Sequence, residues 1–223
     1  MNTHIALLRG INVGGKNIIK MDMLKQCFVA MGFPDVKTYI QSGNVVFKTA
    51  DTDKTKLIEI MENKLLEMFS IEIKTMILTA DELMETVENA PENFGSQPDK
   101  FRYDVWFMLP WMTVTEIMSH ICLREGVDFV QAGKNVMYTS RLTSEMNKSY
   151  LQKIIQTPFY KSVTIRNWNT TIKLLKMVDN NTINLQKQYV EQSYMPRTAL
   201  RYAIEKMPDH YKAEAMLGNR PVR

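Results

Sequence analysis

Cysteine and histidine are scarce in this sequence, and no apolar run is long. Two cysteines, Cys27 and Cys122, cannot build a disulfide framework, and the three histidines His4, His120 and His210 share no motif. No Cys/His/Asp cluster has metal-ligand spacing, so neither a metal nor a cofactor is expected. No stretch reaches the ~18 uninterrupted apolar residues of a membrane helix. Residues 1–8 are only briefly apolar before Arg9 and Gly10, which argues against a secretory signal. These absences predict a soluble cytoplasmic chain with reduced thiols and no membrane partner. Glycine motifs are missing too. Gly10, Gly14 and Gly15 match neither the GxxxxGK phosphate loop nor the GxGxxG dinucleotide fingerprint.

What is present is a globular composition, 45% hydrophobic and 23% charged, which does not predict disorder. The 17 methionines fall mostly at helical core positions, where adaptable packing explains them. The net charge of +4 is unevenly spread. Residues 51–99 hold twelve acids against four lysines, and residues 134–176 hold eight basic residues against Glu145 alone. Such asymmetry marks either a solvated face or a surface for nucleic acid or a phosphorylated ligand.

Hydrophobic spacing predicts the elements. Strands are expected at 3–8, 36–40, 45–48 and 71–78, with helices at 21–31 and 54–69. The order βαββαβ is the ferredoxin-like pattern. After a linker helix at 81–89 the order recurs. Strands are expected at 101–109, 129–130, 136–140 and 163–166, with helices at 114–123 and 144–155. Thr113 is the expected cap of the helix at 114, with Glu116 at its third position. A further helix is expected at 169–178. Cys27 and Cys122, each beside apolar residues on the first helix of its repeat, are expected to be buried. The segment Gln41-Ser42-Gly43-Asn44-Val45-Val46-Phe47 is echoed by Gln131-Ala132-Gly133-Lys134-Asn135-Val136-Met137-Tyr138 at the second central hairpin. The fold class expected is therefore α+β, two tandem ferredoxin-like repeats with a helical C-terminal extension. The domains are 1–79, 80–180 and 181–223. Joining the repeats edge to edge would extend one common sheet and hide exposed strand edges.

Two segments resemble known families. Ala6-Leu7-Leu8-Arg9-Gly10-Ile11-Asn12-Val13-Gly14-Gly15 and Thr38-Tyr39-Ile40-Gln41-Ser42-Gly43-Asn44-Val45-Val46-Phe47 resemble signatures of the bacterial domain-of-unknown-function family 1697. Val105-Trp106-Phe107-Met108, Asn147-Lys148 and the run from Val163 to Thr170 extend the resemblance over about residues 1–180. It implies the duplicated ferredoxin-like architecture and carries no catalytic residues. The tail around Met195-Pro196-Arg197-Thr198-Ala199-Leu200 resembles the C-terminal helices of the AlkD-like DNA alkylation repair proteins, over about residues 183–217. Those are helical-repeat glycosylases. The repeats that hold their base-excision site have no counterpart in this sequence, so no catalytic residue transfers.

Three stretches are candidate ligand sites. Arg9, Asn12, Gly14, Gly15 and Lys16 form a Gly-rich loop that either gathers amides on an anion or satisfies unusual dihedrals. Ser42, Gly43 and Asn44 either present a hydroxyl and an amide to a ligand or make a hairpin turn. Arg166, Asn167 and Asn169, around Trp168, either bind a phosphate and stack a base or cap the following helix. Ser42 has no assignable base, so no catalytic residue is named. The leading reading is a non-enzymatic binding module for an anionic ligand or nucleic acid. The alternatives are an enzyme acting on a phosphorylated small molecule and a protein-interaction module that docks through the helical tail.

Overall fold

Strand β1 (Asn2–Leu8) is buried on both faces from His4 onward. A strand covered on both sides must lie in the middle of a sheet that has a layer above and a layer below. Both layers are present in the computed structural model, which describes residues 1–109 and 111–178. β1 pairs antiparallel with β3 (Asn44–Thr49) and with β4 (Thr75–Thr79), and β2 (Lys37–Tyr39) lies outside β3. The sheet order is β2-β3-β1-β4.

Helices α1 (Met21–Ala30) and α2 (Lys54–Phe69) cover one face. Phe28, Met61 and Leu65 pack there on Ala6, Val45 and Phe47. Each such large side chain contributes about 1.5–3 kcal/mol by leaving water. Asp53 caps α2 by accepting from the Thr55 and Lys56 amides at 2.9 and 3.1 Å.

The second sheet is also four-stranded and antiparallel. It contains β5 (Phe101–Met108), β6 (Asp128–Ala132), β7 (Val136–Leu142) and β8 (Val163–Asn167), in the order β6-β7-β5-β8. Its outer face packs Trp106, Met137 and Val163 under α4 (Val114–His120) and the following short helices. Its inner face shares one core with the inner face of the first sheet. Val105, Phe107 and Val136 meet Ile5, Leu7 and Met76 there. Helices α3 (Ala80–Glu88) and α5 (Trp168–Val178) fill the same layer with Leu83 and Leu174. The expected common sheet is thus corrected. Two separate sheets face one interior, because β1, β4, β5 and β7 are apolar on that face as well as on the other.

Three further expectations shift. The helix expected at 144–155 is instead two 3₁₀ segments, Thr143–Lys148 and Leu151–Gln156, and a third, Pro158–Ser162, follows them. The buried Asp128 carboxylate explains the break, since it accepts from Ser149 Oγ at 2.6 Å and Tyr150 N at 2.8 Å and holds Ser149 extended. β4 begins at Thr75 rather than Ile71, and the Thr75 amide donates to Glu62 Oε1 on α2 at 2.8 Å. α4 stops at His120, where Ile121 turns extended, so Cys122 lies beyond the helix and is exposed while Cys27 is buried. The Thr113–Glu116 capping box is present. The helices expected in 183–217, and the AlkD-like resemblance they carry, lie outside the described residues.

Candidate functional site

The sequence Val163-Thr164-Ile165-Arg166 alternates. Val163 and Ile165 face the outer core, which turns Thr164 and Arg166 toward the first sheet. Arg166 is only 8% exposed. A buried cation needs partners for its five N–H donors, and here they are carbonyls and an amide. Nε donates to Asn44 Oδ1 at 2.6 Å and Nη1 to Ile165 O at 2.9 Å. Nη2 donates to Leu8 O at 2.7 Å and to Ser42 O at 3.1 Å. Arg166 thereby clamps the end of β1 to the turn before β3.

Asn44 is fully buried and spends its Nδ2 on Tyr39 O at 3.0 Å and Ser42 Oγ at 2.9 Å. The turn exists because Gly43, at φ +75°, leaves room for Ile11 and Leu8. A Cβ there would come within 2.8 Å of both side chains. The Leu8 amide closes the clamp by donating to Gly43 O at 2.8 Å.

Arg9 follows Leu8. Its guanidinium donates to the Lys161 carbonyl and sits 4.9 Å from the centre of the Tyr160 ring. Burial lowers the Arg9 pKa, while the Tyr160 phenol works to raise it. Burial also pushes Arg166 down to about 10; the like charge of Arg9 adds to the shift and Tyr160 opposes it. Among the described residues, no carboxylate pairs with either arginine. Elsewhere a buried carboxylate has two such partners. Asp104, 1% exposed, is held by Arg141 at 2.7 Å and Arg102 at 3.0 Å.

The structure brings Arg9, Ser42, Gly43, Asn44 and Arg166 to this junction. Asn12 braces it from the side, donating to Gln41 O at 2.8 Å and to Ile19 O at 3.0 Å. Gly14, Gly15 and Lys16 form an exposed loop tip, in which the Lys16 amide donates back to Val13 O at 3.0 Å. That amide is therefore spent on the turn. Asn167 points elsewhere. Its Nδ2 donates to Tyr103 O at 2.9 Å and its Oδ1 accepts from the Asn169 amide at 3.0 Å, which ties down the start of α5. Asn169 itself is exposed.

Tyr160 and Lys161 escaped sequence reasoning. They sit in a 3₁₀ segment between an expected helix and an expected strand, and only Pro158 hinted at ordered structure there. Asp104 was hidden inside a strand that reads as apolar.

A second feature is a cleft of about 570 Å³ between β4, α3 and the ends of β5 and β7. Met76, Leu78, Phe107 and Leu109 line it, and the ion pairs Lys54–Glu82 and Lys134–Glu85 stand at it. Tyr138 crosses it to donate to Thr86 O at 2.6 Å. Its lysines are paired, so the cleft lacks the charge excess of the arginine junction. Among the described residues no group of three His, Cys, Asp or Glu gathers as a metal would need. None of the described helices is long and apolar enough to cross a membrane.

These elements define a mixed α/β protein with two four-stranded antiparallel sheets and a buried arginine joining them. The chain belongs to the family described as protein of unknown function (DUF1697), which it matches over residues 1–138. Arg9 and the 42–44 turn lie inside that span, whereas Tyr160 and Arg166 lie beyond it. The solved structure of conserved bacterial protein SP0830 from Streptococcus pneumoniae is similar, with a TM-score of 0.68 and 27% identity, covering 80% of this chain and 99% of that one. No curated protein matches the sequence.

Proposed function

We propose that this protein is a non-enzymatic binding module for an anionic ligand, with Arg9 as the group that receives the anion and the buried Arg166 adding its positive charge behind it. One observation carries the reading: two adjacent guanidinium groups, one of them buried, with no carboxylate among the described residues to neutralise them. Carbonyl dipoles satisfy Arg166 geometrically but leave its charge in place. Arg9, only half-buried, adds a second charge. A phosphate or similar oxyanion accepts from such a fork in bidentate fashion and removes the repulsion. The basic run of residues 134–176 supports the same sign of ligand, whether the phosphate belongs to a small molecule or to a nucleic acid.

Binding is favoured over catalysis because the junction offers guanidinium, amide, hydroxyl and carbonyl groups. No imidazole or carboxylate hydrogen-bonds to them among the described residues, so a general base is lacking. The recurring strand order and the echo between Gln41–Phe47 and Gln131–Tyr138 support reading the core as two tandem ferredoxin-like repeats. The two free thiols suit a reducing, cytoplasmic compartment.

Isothermal titration of the full chain with inorganic pyrophosphate across a salt series tests the reading. The expected result is saturable binding that weakens with salt, and at least a tenfold loss in Arg9→Gln, about the value of one charge-assisted contact. Absence of heat with pyrophosphate, together with no retention of single-stranded DNA or RNA, would refute it.

A further inference from the structure

The 3₁₀ segment that holds Arg9 also holds an aromatic ring that lies in none of the hydrophobic cores. Trp111 is 69% exposed, unlike Trp106, which is 3% exposed in the outer core. Its indole N–H donates to Ser162 Oγ at 3.4 Å. The turn that carries it is tied to the same residue. The Leu109 amide donates to Ser162 O at 2.9 Å, and the Met112 amide closes back on Leu109 O at 2.9 Å. Ser162 directly follows Lys161, whose carbonyl receives the Arg9 guanidinium. Trp111 and Arg9 therefore grip adjacent residues of one short 3₁₀ segment, Pro158–Ser162, whose Tyr160 lies under Arg9. The indole is largely open to solvent, and the residue that anchors it directly follows the exposed Lys161 whose carbonyl receives the uncompensated Arg9.

We infer that the anion bound at Arg9 belongs to a nucleotide whose base stacks on Trp111. The inference rests on the anion reading above and adds the organic half of the ligand. A planar ring gains from an exposed indole face whatever its hydrogen-bonding edge, and a phosphate gains from a guanidinium fork. A nucleotide carries both groups on one short ribose. The cost of exposing a large aromatic side chain to water is then offset on binding. A free nucleotide and a single-stranded nucleic acid present the same chemistry here.

The test is tryptophan fluorescence of the full chain titrated with ATP and, separately, with tripolyphosphate, which matches the charge without the base. ATP should quench the emission and bind about tenfold more tightly, the scale of one stacked base. Trp111→Ala should abolish the quench and the tenfold advantage while leaving tripolyphosphate binding unchanged. Trp111→Phe should retain part of the advantage, because it keeps a ring face. Arg9→Gln should weaken both ligands. A labelled single-stranded oligonucleotide that binds more tightly than ATP, increasingly with length, assigns the site to nucleic acid; one that binds no better assigns it to the free nucleotide. Equal affinity for ATP and tripolyphosphate, unaltered in Trp111→Ala, would overturn the stacking inference and leave the anion site standing. Failure of both ligands to bind would remove the anion site as well.

Discussion

Arg166 reaches from the last strand of the second sheet into the first, and its partners are backbone carbonyls. Lysine at this position keeps the charge but cannot fork to Asn44, Leu8 and Ser42 together. Arg166→Lys should therefore lower stability by about 2 kcal/mol or more. Arg166→Ala, which strands Asn44 Oδ1 and the Leu8 carbonyl, should cost about 3–5 kcal/mol, both read by urea denaturation. Tyr138 gives a pH prediction. Burial, with the Glu85 charge adding, raises its phenol to about 12. The native state then holds its proton more tightly than the unfolded chain. This contribution to stability is full below the unfolded value near 10 and is lost as pH rises through about 12. A spectrophotometric titration should find one phenol ionising near 12, absent in Tyr138→Phe. That variant should also lose about 1–2 kcal/mol through the bond to Thr86. Arg9, Ser42, Gly43, Asn44 and Arg166 are legible as candidates in residue type and local pattern, whereas Tyr160 and Trp111 are not, because a lone aromatic in a loop looks the same whether it stacks on a distant arginine or not.

Elements were legible where periodicity and capping agreed. α2 runs over Lys54–Phe69 as its apolar stripe predicts, and α3 begins where Thr79 and Glu82 form a capping box. Thr79→Ala should cost about 1 kcal/mol by thermal melting. Elements were misread where a distant side chain overrode local preference. Residues 144–155 have helical spacing, yet Asp128 captures Ser149 and Tyr150 and leaves two 3₁₀ pieces instead. Nothing in the local sequence announces a carboxylate that arrives from another strand. The turn before β3 is the reverse case, since its glycine is required by geometry. Gly43→Ala places a methyl group 2.8 Å from Ile11 and Leu8 at a positive φ. It should cost about 2 kcal/mol or more and loosen the carbonyls that hold Arg166. Denaturant unfolding, and the loss of pyrophosphate binding alongside it, would check both effects.

At the scale of the whole molecule, the sequence shows strands apolar on both faces but does not say what covers the second face. Edge-to-edge joining and face-to-face packing both satisfy the strand pattern. The difference is decided by contacts far apart in the chain, such as Tyr138 to Thr86 and Arg166 to Leu8. Face-to-face packing is what places a β8 arginine beside Arg9, so the arginine junction is a product of the tertiary arrangement and not of any one motif. On the reading proposed above, this junction receives an anion. Anomalous diffraction from crystals of the full chain soaked in tungstate, a tetrahedral oxyanion, locates that anion directly. A peak is expected within hydrogen-bond reach of Arg9, lost in Arg9→Gln crystals. Tungstate ordered only at other surface lysines, with none at the junction, would contradict it.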